Sequence, residues 1–378
     1  MTHKRLAVLE LAMGLDVGGA ETHVVSLSRS LAKMGWDVEV ASSGGRRVKD
    51  LEAAGIVHHK VPLASRNPVE MLRAHRMLRD ILESRRFDIV HAHARIPAWI
   101  ATRLQKQASF PLVTTYHWTF VSGFPWNLVT RAGDWTIAVS PDIKDYVTRQ
   151  FGFDPGKITV VVNGIDCDEF RPLSGFEAAE ARRAFGIPEN APVIAYASRM
   201  TKPLGKVACD TVEAALSLRS DYPEMRILIA GDGEYLEQVK RAADEANRRA
   251  GSDFVQCLGF VSDMAPFYQV SDVVIGMSRV AMEGMACGKP AIIAGPSGDY
   301  GLVTEDKAPA LEAVNFTSRD APIPIAPEGL AAEIRAVLEG RGIEAARFGL
   351  QYIRQHHSVM ATTAEVEKVY LRMLEPRS

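Results

Sequence analysis

Cysteine is scarce in this sequence. The four residues Cys167, Cys209, Cys257 and Cys287 lie far apart with no C-x-x-C pair, which excludes a cysteine-held metal knuckle and a disulfide framework and leaves reduced, packed thiols of a cytoplasmic protein. Long apolar runs are missing as well. No window approaches the roughly 18 uninterrupted apolar residues of a membrane span. The opening MTHKRLAVLELAMGLDVGGAE is broken by Glu10 and has no small-residue cleavage site, so it reads as a first core strand rather than a leader. Charge of one sign is equally lacking. With 44 Lys and Arg against 46 Asp and Glu and a net charge of -2, nothing attracts nucleic acid globally, and no dense basic run is interleaved with the few aromatics.

What is present is a chain of 378 residues, 47% hydrophobic, long enough for two domains with a core each. Short apolar runs alternate with amphipathic stretches, the order that predicts parallel sheets with crossover helices. Strands are expected at RLAVLELAM (5–13), DVEVAS (37–42), HHKVPL (58–63), DIVHAH (88–93), PLVTTYH (111–117), WTIAVS (135–140) and ITVVVNGI (158–165). Helices are expected over about 21–34, 68–86 and 98–107 and from 141 onward. After a break at RPLSGFEAAEARRAFGIPENAP (171–192), a second series reads VIAYASR (193–199), RILIAGDG (226–233), FVQCLGFV (254–261), DVVIGM (272–277) and PAIIAG (290–295). Its helices fall over about 208–219, 234–249 and 263–269 and around position 283. The expected fold class is therefore α/β, two Rossmann-like domains in tandem, 1–172 and 173–360. A last segment, 361–378, carries a helix free to pack on either domain, the N-terminal one included. In such sheets ligands bind beyond the carboxyl ends of the strands, at glycine turns and helix N-termini.

Several strand-end residues bear chemistry. Gly18 and Gly19, ahead of a helix, let backbone amides approach a phosphate or a sugar, or simply make a tight turn with Glu21 favouring the helix dipole. The G-x-G-x-x-G spacing of a dinucleotide fold is absent, with only a fragment at GDG (231–233). His91, His93 and His117 end two strands. Without an H-x-x-x-H pair or an evident carboxylate partner no metal is expected there, and His117, between Tyr116 and Trp118, is the candidate for bonding a sugar. Arg199, Lys202 and Lys206 place cations in a strand-end loop, suited to neutralising a departing diphosphate. In SDVVIGMSRVAMEGMACGKP (271–290), Glu283 either pairs with Arg279 one helical turn earlier or accepts hydrogen bonds from a ribose diol. Arg73, Arg76 and Arg79 are diluted by Glu70, Asp80 and Glu83, so they read as a solvated face rather than a lipid-binding one.

The segments GGAETHVVSLSRSLAKMGWDVEV, DIVHAHARIPAWIATRL, VVNGIDCDEFRP, AGDGEYLEQV, LGFVSDMAPFYQVSDVVI and EGMACGKPAII, in this order, resemble glycosyltransferase family 4 over nearly the whole length. The resemblance implies a GT-B architecture with an inter-domain cleft and a nucleotide-sugar donor, UDP- or GDP-linked, held mostly by the C-terminal domain. It also implies an acceptor on the N-terminal domain, retention at the anomeric carbon, no metal and no separate cofactor. Carried over, Glu283 matches the ribose-binding glutamate, Arg199 the phosphate-binding arginine, Gly19 the glycine loop and His117 the active-site histidine; Phe260, Val261 and Met264 fall in the segment lining the base pocket. Two departures stand out. The family's first glutamate is Ile275 here, and the loop shrinks to Met277-Ser278-Arg279-Val280, leaving Ser278, Arg279 or backbone amides to take over. The phosphate lysine is Leu204, with Lys202 and Lys206 on either side. The expected function is sugar transfer to a cell-envelope glycan, a lipid-linked or a small-molecule acceptor, with a peripheral contact at the inner face of the membrane open. A nucleotide-sugar 2-epimerase of the same fold and a non-catalytic sugar-nucleotide binder are the competing readings.

Overall fold

The computed structural model describes residues 5–16, 18–124 and 126–375. The chain forms two compact units, one running to Gly164 and resuming at Val359, the other spanning Ile165–Ser358. The division falls a few residues before position 172 because Ile165 and Phe170 already pack in the core of the second unit.

In the first unit, β1 (Ala7–Leu11), β2 (Asp37–Ser42), β3 (Val57–Lys60), β4 (Ile89–Ala92), β5 (Leu112–Tyr116), β6 (Trp135–Ala138) and β7 (Ile158–Val160) form a seven-stranded sheet. Its order is β3-β2-β1-β4-β5-β6-β7, parallel throughout. The central strands β1, β4 and β5 are buried along their whole length, as a parallel sheet covered on both faces demands. The covers are α1 (Gly19–Lys33), α2 (Val48–Glu52), α3 (Pro68–Ser84), α4 (Arg95–Leu104), α5 (Pro141–Phe151) and the C-terminal helix Val359–Leu374. Local sequence fixes their ends. Asn67 caps α3 by accepting the amide of Val69, with Pro68 opening the helix, and Gly152 closes α5 in a left-handed conformation. The C-terminal helix contributes Val366, Val369 and Tyr370 to the core beside α1, and its Glu367 accepts a hydrogen bond from the Trp36 indole at 2.7 Å.

The second unit holds β8 (Val193–Ala197), β9 (Arg226–Ala230), β10 (Val255–Gly259), β11 (Val273–Gly276), β12 (Ala291–Gly295) and β13 (Gly298–Leu302), ordered β10-β9-β8-β11-β12-β13. All neighbours are parallel except β12 and β13, a short antiparallel return that the sequence reading does not contain. The helices are α6 (Gly175–Ala184), α7 (Lys202–Ser217), α8 (Leu236–Ala250), α9 (Ala265–Gln269), α10 (Arg279–Ala286), α11 (Ala308–Ala313), α12 (Pro327–Ala336) and α13 (Gly342–His356). The stretch read as a break contains α6, opened by a capping box in which Ser174 accepts the Glu177 amide and Glu177 the Ser174 amide. Helix α7 begins at Lys202, six residues before the expected 208, because Pro203 is tolerated in a first turn. Lys202 and Lys206 are thus helical residues, not loop cations. No helix among the described residues is long and apolar enough to cross a membrane.

Candidate active site

In each unit the sheet order reverses beside its first strand, between β1 and β4 and between β8 and β11, and the chemistry-bearing residues gather at these carboxyl ends. In the second unit Arg199 lies two residues beyond β8, exposed, and Lys202 and Lys206 are exposed on the opening turns of α7. The β8 turn is tied to its neighbours by backbone bonds: Met200 donates to Asp232 at 2.9 Å, Tyr235 to Met200 at 2.8 Å, and Gly231 to Gly259 at 2.7 Å. Only glycine permits this. A Cβ on Gly231 would lie 1.9 Å from the Ser198 carbonyl oxygen and one on Gly233 2.6 Å from that of Met200, both at positive φ. Past β10, Phe260 is 37% exposed, with Val261 and Met264 half-buried.

Between β11 and α10 stand only Met277 and Ser278. Ser278 has φ 50°, a strained position for a residue with a Cβ and of the kind found at functional turns. It is backed by Asn315 and Phe316, also at positive φ; the Ser278 amide donates to the Phe316 carbonyl at 2.7 Å and Asn315 Nδ2 to Ser278 Oγ at 3.3 Å. Arg279 and Glu283 are both more than nine-tenths buried. Arg279 Nε and Nη2 donate to Glu283 Oε1 at 3.1 and 2.8 Å, so the ion pair forms, and the guanidinium turns back onto the carboxylate. Tyr268 is fully buried beside Glu283, and burial together with that carboxylate's charge raises its hydroxyl pKa well above the usual range. Ile275 is sealed in β11 with no exposure.

In the first unit Gly18 caps α1 and Gly19 is its first residue. His117 follows β5 and is half-buried. Beneath it lies a network that no local pattern announced. Glu10, on β1 and fully buried, accepts from His93 Nε2 at 2.6 Å and from the Tyr370 hydroxyl at 3.0 Å. His91 Nδ1 is 2.6 Å from the Tyr370 oxygen and its Nε2 2.6 Å from Thr115 Oγ1. His93 Nδ1 faces His117 Nε2 at 3.4 Å, and the His23 ring lies 5.0 Å from that of His117. Burial alone would raise the Glu10 pKa; the facing imidazoles outweigh it and hold the carboxyl well below its usual range. His91 is pushed down to about 4 and His117 well below its ordinary value, burial first and neighbouring histidines next.

The carboxylate partner absent from the sequence reading is therefore Glu10, 83 positions from His93, which in the linear chain only interrupts an apolar run. His23 and Tyr370 were missed for the same reason. Among the described residues, two sets can each bring three ligand atoms within 4.8 Å, His23, His93, His117 and Glu10, His91, His93, a donor chemistry suited to zinc.

Residues 17–169 match the family Glycosyltransferase Family 4 and residues 191–339 the family Glycosyl transferases group 1. The D-inositol 3-phosphate glycosyltransferase of Kribbella flavida is 28% identical over 77% of this chain and 77% of its own. Among solved structures, a glycosyltransferase from Rickettsia africae superposes with TM-score 0.80 at 21% identity, covering 99% of this chain and all of its own. Anabaena HepE, crystallised with UDP-glucose, gives 0.76 at 19%, covering 97% of this chain and all of its own. With each half matched to its own glycosyltransferase domain and each half folded around its own doubly wound sheet, the chain is a glycosyltransferase of family 4 with the GT-B fold.

Proposed function

We propose that this glycosyltransferase takes a sugar from a UDP- or GDP-linked donor, with retention of anomeric configuration and no metal ion, and passes it to a cell-envelope glycan, lipid-linked or small-molecule acceptor. The observation that carries the donor assignment is the switch point of the second sheet, with Arg199 beyond β8 and the Ser278–Glu283 segment beyond the adjacent β11. A diphosphate there meets Arg199 and the cations of the first turns of α7, Lys202 and Lys206, which neutralise the charge that develops as the sugar leaves. Glu283, held by Arg279, anchors the ribose, and Ser278 with the backbone of its turn takes the place of the family's other glutamate. Phe260, Val261 and Met264 line the base. Gly18 and Gly19 open the acceptor side, and His117 orients the transferred sugar. The HepE complex with UDP-glucose supports a uridine donor.

The loop following His117 exposes Trp118, Val121, Phe124 and Leu128, with Phe124 87% exposed. Such a surface favours a lipid-linked acceptor and a peripheral membrane contact over a free small molecule. Two of the α3 arginines do not add to it, since Arg73 pairs with Glu70 and Arg79 with Glu83 on their own helix.

A thermal-shift screen with nucleoside diphosphates and their sugars tests the reading. A donor at about 100 times its dissociation constant stabilises the native state by about 2.7 kcal/mol. The expected result is a raised midpoint with one nucleotide class, lost in the Arg199→Ala, Glu283→Gln double variant. Donor binding and turnover that survive the double change sink the proposal, and conversion of a nucleotide sugar without any acceptor replaces transfer by epimerisation.

A further inference from the structure

With each imidazole carrying a single proton, the hydrogen bonds around Glu10 leave one consistent assignment. The ionised carboxylate accepts only, so Tyr370 gives its hydroxyl proton to Glu10 and the Tyr370 oxygen accepts from His91 Nδ1; His91 Nε2 then accepts from Thr115. His93 must donate through Nε2 to Glu10 at 2.6 Å, which makes its Nδ1 an acceptor, and the atom facing that acceptor is His117 Nε2 at 3.4 Å. His117 Nδ1 makes no hydrogen bond to the described residues and is not sealed from solvent.

We infer that Glu10 and His93 are positioning residues that lock His117 as the Nε2–H tautomer, so that its Nδ1 lone pair is offered to the substrate and His117 accepts, rather than donates, a hydrogen bond from a sugar hydroxyl. The chain Glu10–His93–His117 runs from the buried centre of β1 through the end of β4 to the end of β5, and each link uses the one ring nitrogen the previous link leaves available. The substrate consequence rests on the placement of His117 against the sugar proposed above; the tautomer does not. A site built to accept from a hydroxyl rejects the deoxy analogue strongly, because the lone pair is left unpaired.

The test is long-range 1H–15N correlation on the intact protein with 15N-labelled histidine, which reads the tautomer of His117 directly and requires no variant. A protonated Nε2 and bare Nδ1 are expected. Glu10→Leu, which removes the acceptor for His93, should mix the two tautomers and lower kcat about tenfold, the loss of one hydrogen bond in the transition state. Glu10→Gln, whose amide oxygen still accepts from His93, should restore both. A wild-type His117 protonated on Nδ1 overturns the proposal whatever the kinetics. So does zinc found by elemental analysis with both His93 and His117 signals moved, since 3.4 Å is also about the spacing of two nitrogens around tetrahedral zinc. If the tautomer is as expected but His117→Ala turns over normally, the relay stands and the sugar-orienting role of His117 fails.

Discussion

Glu10 is a carboxylate without exposure in the middle of a core strand, and an unpaired charge there would cost several kcal/mol. It is tolerated because Tyr370 and His93 donate to it. Replacing Tyr370 by Phe removes one donor and should lower stability by about 1.5–3 kcal/mol in urea denaturation, the range for a hydrogen bond to a charged group. The pH dependence follows from the buried imidazoles. His91 is pushed down to about 4 and His117 well below its usual value, whereas in an unfolded chain both protonate near about 6.5. Below that pH the unfolded chain binds more protons, so their contribution is complete above about 6.5 and is lost as pH falls toward 4, by about 1.4 kcal/mol per pH unit for each extra proton. Urea midpoints measured from pH 7.5 to 4.5 should fall accordingly, with a shallower slope in His91→Asn. His117 and Arg199 were legible in the sequence as polar residues just past strand ends, and Glu283 as a carboxylate within an otherwise apolar helix. Glu10 was not, because a hydrogen bond across 83 positions leaves no local pattern.

At the scale of elements, three strand ends in the second unit are laced by main-chain bonds through glycine. Gly231 at φ 141°, with its would-be Cβ against the Ser198 carbonyl, cannot become alanine without moving the turn that carries Arg199. Gly231→Ala should cost about 2 kcal/mol or more and weaken nucleoside-diphosphate affinity together with stability. An affinity unchanged in a folded variant would detach Arg199 from the donor site. The helix–strand alternation was readable because fully covered parallel strands form short continuous apolar runs. Helix α6 was obscured by glycine and proline on either side, although its S-x-x-E capping box was present in the sequence. The turn between β11 and α10 was recognisable as short, but the positive φ of Ser278 and its support from Asn315 and Phe316 come from a segment far along the chain.

At the scale of the molecule, the second unit is one continuous segment and the first is not. Truncation after Ser358 removes Trp36's partner Glu367, Tyr370 and the apolar residues packed beside α1. The truncated chain should keep nucleoside-diphosphate binding and the melting of the second unit, while the first unit loses its cooperative transition in calorimetry and acceptor-dependent turnover disappears. A first unit that still melts cooperatively would show the helix to be an accessory. By itself the sequence determined the two doubly wound sheets, their glycine turns and the cations and carboxylate at the second switch point, because periodicity, caps and turns are local and leave local marks. Only the tertiary structure decided which helix completes the first unit, how Arg279 clamps Glu283, and that a strand carboxylate, three histidines and a C-terminal tyrosine share one buried network. Those contacts join residues that sequence distance separates, and burial gives them their strength.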